Sequence, residues 1–476
     1  MQLKAILQQN ENMNQIIRLM HFHTPMGRTA LLQREMMTCA QRIEQQRLPL
    51  DELMEHFTSP QVMATTGQLL SEIRDIHATL ESLANEQMLD EIALFEVKSF
   101  AITVEKIKVH LQPWPHEIIS LPSLEEVVSL LDPDGQRIKS FFIYDGYSAE
   151  LKQTRKIIEA LRLDIKTLEN SDRVLELQKE LLIQEMEAHR LECEILLQLS
   201  KALHHFAKEL ALAFEAMATL DILMAHVSLN KQLNLKRPMV SGNAIAYTGL
   251  FHPLVKASLA SKNLEYQPIS ITLRDEVTLL TGANMSGKSI LLQGLALAQL
   301  MFQFGFYVPA ESATLVPVEE IVLVQGDLQN SQRGLSSFGA EVLQISQILE
   351  RAQQNHPMLV LLDEPARTTN PVEGEALVDA LIGQLQKRPL FALMATHYGS
   401  LQTPCRRLKT KGLKFIDSKQ ITISNINHYI DYSLEEITNG EVPHEAIRIA
   451  GLLGGEANWL KEAQDILENQ KKQPKI

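Results

Sequence analysis

Residues 282 to 289 read Gly282-Ala283-Asn284-Met285-Ser286-Gly287-Lys288-Ser289, a Gly-x-x-x-x-Gly-Lys-Ser octet. The apolar run Val277–Thr281 precedes it and a helix-forming stretch, Ile290–Leu300, follows. A strand, a glycine-turned loop and a helix N-terminus aim backbone N–H groups into one hollow, where the helix dipole favours an anion. All eight residues are therefore expected to cradle nucleotide phosphates, with Lys288 neutralising the β/γ oxygens and the Ser289 hydroxyl holding Mg2+. The cofactors expected are ATP and Mg2+. Few other folds suit such an order of elements.

A second motif adds hydrolysis. Met358–Leu362 is a short continuous apolar run, as expected of a strand buried on both faces of a parallel sheet. It ends in Asp363-Glu364, about 75 residues beyond the loop. Asp363, at the strand's C-terminal end, is placed to bind the metal, and Glu364 to orient or deprotonate the attacking water. A third apolar run, Leu390–Ala395, ends in Thr396-His397. His397 is a candidate γ-phosphate sensor, although a lone histidine at a strand end is more often structural.

Taken in order, these pieces carry a resemblance. The octet is followed by Gly334-Leu335-Ser336-Ser337-Phe338, then by the stretch from Leu361 through Asp363-Glu364-Pro365-Ala366-Arg367 to Gly374, then by Ala395-Thr396-His397-Tyr398. This series resembles the ABC-type ATPase domain of the MutS family of DNA mismatch repair. Gly326-Asp327 with Gln329, and Asn370-Pro371 with Glu373-Gly374, are similar to the second MutS branch, which lacks a mismatch-recognition domain. The resemblance implies a nucleotide sandwiched between two subunits. Ser336, Ser337 and the helix starting near Phe338 would meet the partner's γ-phosphate. Arg367 to Asn370 would form a loop signalling across the interface, and His397 matches the family's switch histidine.

The expected fold is an α/β P-loop (ABC-type) ATPase domain with a long all-α N-terminal lever or clamp-like domain and a short C-terminal helical element. Residues 1–235 are poor in glycine and proline and helical in period, and the stretch from Tyr147 to about Lys231 is nearly free of both breakers. At ~1.5 Å per residue such a stretch makes helices tens of ångströms long. A plain bundle fits this pattern as well as a lever does. The resemblance favours the lever, because His23-Thr24-Pro25-Met26-Gly27-Arg28, Leu130–Gly135, Tyr147–Leu151 and Ala216–Leu223 are similar to segments of that region. A linker from Lys236 to Gly242 opens the ATPase domain, expected over 243–432. Residues 433–476 resemble the family's C-terminal dimerisation helices; Ile447, Ile449, Leu452 and Leu453 suit that role or packing on their own domain.

Composition narrows the setting. The three cysteines, Cys39, Cys193 and Cys405, are widely spaced and form no Cys-x-x-Cys pair, which argues for a reducing compartment and against structural zinc. No apolar signal region opens the sequence and no uninterrupted apolar run reaches ~18 residues, so a cytoplasmic protein without a membrane partner is expected.

Departures from the family matter as much. The lever-like motif begins near residue 23, so mismatch-binding and connector domains are not expected, nor is a nuclease-like tail. Leu264 stands where mismatch-repair members place an adenine-stacking aromatic, with Tyr266 nearby, and Gln329 and Asn330 replace two aspartates. Net charge is −13, and residues 151–200 carry 8 Lys/Arg against 10 Asp/Glu. A DNA clamp draws affinity from phosphate neutralisation, and no basic surplus is evident here; the cluster Lys152, Arg155, Lys156 and Arg162 reads by default as a solvated mixed-charge face. Two function classes follow. One is an ATP-hydrolysing homodimer acting on duplex or branched DNA. The other is a dimeric ATPase remodelling a protein client, such as an adenosylcobalamin-dependent aminomutase, without binding DNA.

Overall fold

The computed structural model describes residues 1–56, 59–111, 119–167, 171–240, 242–282, 286–325, 337–354, 356–413, 429–437, 447, 450–451 and 454–472. Its contacts form two compact units, one of residues 1–19, 34–47 and 229–476, the other of 20–33 and 48–228.

Ten strands lie in the first unit among the described residues: β1 (Met239–Val240), β2 (Ile245–Leu250), β3 (Ile269–Leu273), β4 (Val277–Thr281), β5 (Ser312–Leu315), β6 (Glu320–Gln325), β7 (Met358–Asp363), β8 (Leu390–Ala395), β9 (Arg406–Leu413) and β10 (Ile430–Glu436). A small sheet runs in the order β1-β5-β2-β3, and a larger one β10-β9-β4-β8-β7-β6. In the larger sheet every pairing is parallel except β10 with β9. The three apolar runs read from the sequence are β4, β7 and β8. They carry no polar alternation because both faces are covered. Leu280, Leu359, Leu361, Phe391 and Leu393 point to one core, shared with the helix Lys288–Gln303. Val277, Leu279, Met358, Val360, Leu390, Ala392 and Met394 point to the other, with the helices Ser337–Ala352 and Pro371–Leu385. Each fully buried aliphatic side chain contributes roughly 1.5–3 kcal/mol.

The units divide the chain differently from a single helical domain over 1–235. The first 19 residues and 34–47 pack with the sheet-bearing unit. The physical reason is a pair of glutamines on the Lys288–Gln303 helix, both fully buried. Gln303 Nε2 donates to the carbonyls of Met37 (2.9 Å) and Val318 (2.6 Å), while its Oε1 accepts from Val318 N–H. Gln299 donates to the Val316 carbonyl and to Gln303. Met37 N–H closes the link on the Gln303 carbonyl. A boundary at 432/433 also falls inside β10.

The described part of the second unit is helical. The helices Ala149–Thr167 and Ser171–His204 form an antiparallel hairpin tied by Arg155–Glu192 and Arg162–Glu185. At ~1.5 Å per residue the longer one reaches about 50 Å. The Thr-Pro-x-Gly segment also acquires a physical role. Asp221, fully buried, accepts from His23 N–H, Thr24 N–H and the Thr24 hydroxyl. Thr24 Oγ1 accepts from Gly27 N–H, and Pro25 opens the next helix, where its missing N–H costs nothing. A Cβ on Gly27 would lie 2.4 Å from Asp221 Oδ2.

Among the described residues one helix, Ala207–Leu233, is long and apolar enough to cross a membrane by length and composition, although charged residues interrupt it. Its apolar window is 72% buried inside the fold, as in a core helix.

Gln303→Leu should expose the importance of the glutamine pair. It leaves two carbonyls and an amide buried without partners, each costing roughly 1–3 kcal/mol. The expected result is a lower urea midpoint for the sheet-bearing unit, together with protease cleavage near residues 34–37. An unchanged midpoint would show that the apolar contacts alone hold this segment.

Candidate functional site

β4 delivers the loop. All five of its residues are buried, with β8 on one edge and β9 on the other, so the chain leaves the sheet at Thr281 in the middle of its C-terminal rim. Gly282 is there because nothing larger fits. A Cβ at this position would stand 2.1 Å from Thr410 Oγ1 of β9 and 2.9 Å from Ser286 Oγ. Gly287 turns through the left-handed region (φ 79°) immediately before the helix begins, a conformation that carries no steric penalty for glycine. Ala283, Asn284 and Met285 lie outside the described residues.

Lys288 is buried, and its Nζ donates to the Gly282 carbonyl at 2.8 Å, folding the side chain back over the loop. Burial pushes its pKa down, opposed by the charges of Glu364 and Asp363. Ser289 hydrogen-bonds the Asp363 carboxylate at the end of β7. Burial pushes the Asp363 carboxyl up, aided by neighbouring Glu364 and opposed by Ser289, Lys288 and Arg367. The fold thus brings the two halves of the expected site together across β8. Asp363 Oδ1, Ser286 Oγ and Thr410 Oγ1 are buried with no hydrogen-bond partner. Oxygen atoms left so, beside a lysine and a helix N-terminus, fit a polyphosphate carrying a hard divalent cation.

Glu364 has positive φ (49°), its N–H donates to the Ala395 carbonyl, and its Oε2 lies 3.1 Å from Arg367 Nη1. His397, just beyond β8, is exposed, with its ring 4.4 Å from that of Tyr398. Ser337 is the first residue of the helix Ser337–Ala352, while Ser336 and the Gly326–Asn330 segment lie outside the described residues. The Asn370-Pro371 pair is a helix start: Asn370 Oδ1 accepts from Val372 N–H and the proline sits at the first helical position. Leu264 and Tyr266 are both half-buried, and Tyr266 OH accepts from His252 N–H at 3.1 Å.

Sequence reasoning missed three residues. Thr410 sets the limit on Gly282. Tyr432 lies against Gly287, its Cδ1 3.0 Å from where a Cβ would stand, on a β10 pinned by Gln267 to Asp431 and to Tyr432 N–H. Glu341 reaches the turn after Glu364, donating nothing but accepting from Ala366 N–H at 2.7 Å. Long separation along the chain left no local signal for the first two. Glu341 lies only three residues beyond the Ser-Ser-Phe motif, a proximity that could have drawn attention to it.

The Gly282–Thr410 approach is testable. Gly282→Ala should destabilise the protein by about 1–3 kcal/mol, typical of overpacking. Adding Thr410→Ala in the same chain should restore part of the thermal midpoint, the remainder being the backbone strain of a non-glycine residue at φ 157°. Equal midpoints for wild type and Gly282→Ala would contradict the close approach.

Residues 278–471 match the family model for MutS domain V. The chain is 28% identical over 335 residues to a DNA mismatch repair protein MutS of Phocaeicola vulgatus, covering 68% of this chain and 38% of that one. It is 33% identical over 188 residues to an endonuclease MutS2 of Thermus thermophilus, covering 40% and 24%. A Bacteroides fragilis DNA mismatch repair protein MutS is 26% identical over 388 residues, covering 79% and 43%. The matched regions are thus less than half the length of each of these relatives. The paired loop and acidic strand end, the spacing of the later motifs and these matches agree: residues 278–471 are a MutS domain V, and the chain as a whole is similar to MutS proteins.

Proposed function

We propose that this protein binds and hydrolyses ATP with Mg2+ as a homodimer and acts on DNA. The observation that carries the first part is the convergence of Ser289, Lys288 and Asp363, with buried oxygens on Asp363 and Ser286 left without partners. In this reading Gly282 to Ser289, including Ala283, Asn284 and Met285, wrap the phosphates, and Ser289 with Asp363 holds the metal, which supplies charge neutralisation at the phosphates. Glu364 orients the attacking water and takes its proton, His397 senses the γ-phosphate, and Ser336 and Ser337 face the partner subunit's nucleotide. Similarity of residues 278–471 to MutS domain V supports this assignment, and the resemblance carried by Gly334 to Phe338 suggests the dimer. We place the protein in the cytoplasm.

DNA is proposed as the substrate surface because relatives covering most of this chain are named DNA mismatch repair proteins. The helical hairpin then serves as the lever or clamp. A second reading, remodelling of a protein client, is favoured by the hairpin's surface. Arg155 is engaged by Asp145 and Glu192 and Arg162 by Glu185, while Leu163, Leu182, Ile183 and Met186 are exposed.

Two measurements test these readings. Lys288→Ala should abolish tight ATP binding, whereas Glu364→Gln should bind ATP and not turn it over, since only the group facing the water is lost. Wild-type turnover per site should also fall on dilution as subunits separate. Wild-type hydrolysis by Glu364→Gln would refute its role.

DNA affinity should be independent of sequence and collapse between about 50 and 200 mM salt, because phosphate contacts alone are at hand. Duplex and branched DNA titrations at both salts read this directly. Undetectable binding at low salt, with or without nucleotide, would leave the protein-client reading.

A further inference from the structure

Two residues without the freedom of glycine, Glu364 and Ala366, take left-handed backbone conformations within one turn (φ 49° and 59°). Such a turn persists only where its surroundings over-determine it. Ala366 is held on both sides of its α-carbon. Its N–H donates to Glu341 Oε1 at 2.7 Å, from the helix Ser337–Ala352, and its carbonyl accepts from the Tyr398 hydroxyl at 3.0 Å, just beyond β8. Gly374, in the helix Pro371–Leu385, makes room for that hydroxyl, since a Cβ there would stand 2.2 Å from Tyr398 Oη and 3.0 Å from the Ala366 carbonyl. Tyr398 is buried and its ring lies beside that of His397. Glu341 is half-buried.

We propose that Glu341 and Tyr398 are positioning residues for Glu364. By gripping Ala366 from two elements they hold the turn that aims the Glu364 carboxylate at the phosphate loop. The same grip ties that carboxylate to the helix Ser337–Ala352, so a shift of the helix changes the aim of Glu364. This inference rests on the proposed role of Glu364 in ATP hydrolysis. Neither residue touches the phosphates; both act through one peptide.

The chemistry selects the variants. Glu341→Ala removes the acceptor, whereas the amide oxygen of Glu341→Gln still accepts from Ala366 N–H. Tyr398→Phe removes only the donor to the carbonyl. Glu341→Ala and Tyr398→Phe are each expected to lower kcat roughly ten- to a hundredfold, the loss typical of a group displaced by a fraction of an ångström to one ångström. Affinity for a non-hydrolysable ATP analogue should stay unchanged, and Glu341→Gln should recover turnover. Hydrogen exchange of the Ala366 amide should speed up in Glu341→Ala and not in Glu341→Gln, a readout independent of turnover. Wild-type kcat in Glu341→Ala overturns the proposal, and so does a Glu341→Gln variant as slow as Glu341→Ala. Wild-type protein that hydrolyses no ATP would instead overturn the role given to Glu364, a separate failure.

Discussion

Burial of β4 on both faces and both edges is the constraint on which the rest of the molecule depends. Its side chains alternate between two cores, Val277 and Leu279 to one and Leu280 to the other, so helices must cover both sides of the sheet. Its edges are taken by β8 and β9, so the chain can leave only at the rim. There it meets Thr410 at a distance that only glycine tolerates. The loop's shape is thus set by the packing of a strand 128 residues away as much as by its own glycines.

β8, lying between β4 and β7, sets the spacing of the chemistry. With its residues entirely buried it holds the loop strand and the acidic strand one position apart, close enough for Ser289 to bond Asp363. Low polarity around these groups shifts both ionisable partners toward their neutral forms, Lys288 downward and Asp363 upward, and each is opposed by the other's charge. Such a site holds charge in tension, and a bound anion with its counter-ion relieves it.

Net charge is a poor guide to partners here, because the arrangement of charges matters more than their sum. In the helical hairpin Arg155 and Arg162 pair with carboxylates on the neighbouring helix and Arg173 and Arg190 with carboxylates on their own, and pairing of this exposed kind adds little stability while removing charge from solvent-facing use. The same hairpin leaves several large aliphatic side chains exposed.

The sequence by itself determined the glycine-turned loop, the acidic strand end and the apolar strands Val277–Thr281, Met358–Leu362 and Leu390–Ala395, because each depends on neighbours within a few residues. Period, glycine and charge are written locally. It also determined the long helices after Ala149, where the absence of breakers is itself the signal. Tertiary structure alone decided that residues 1–19 and 34–47 join the sheet-bearing unit, since the buried Gln299 and Gln303 look like surface residues until their partners, Met37, Val316 and Val318, are known. It alone joined Glu341, Ala366 and Tyr398, three residues spread over 58 positions. A hydrogen bond between distant residues leaves no periodicity behind, because its cost and reward are settled only when the chain has folded and water has gone.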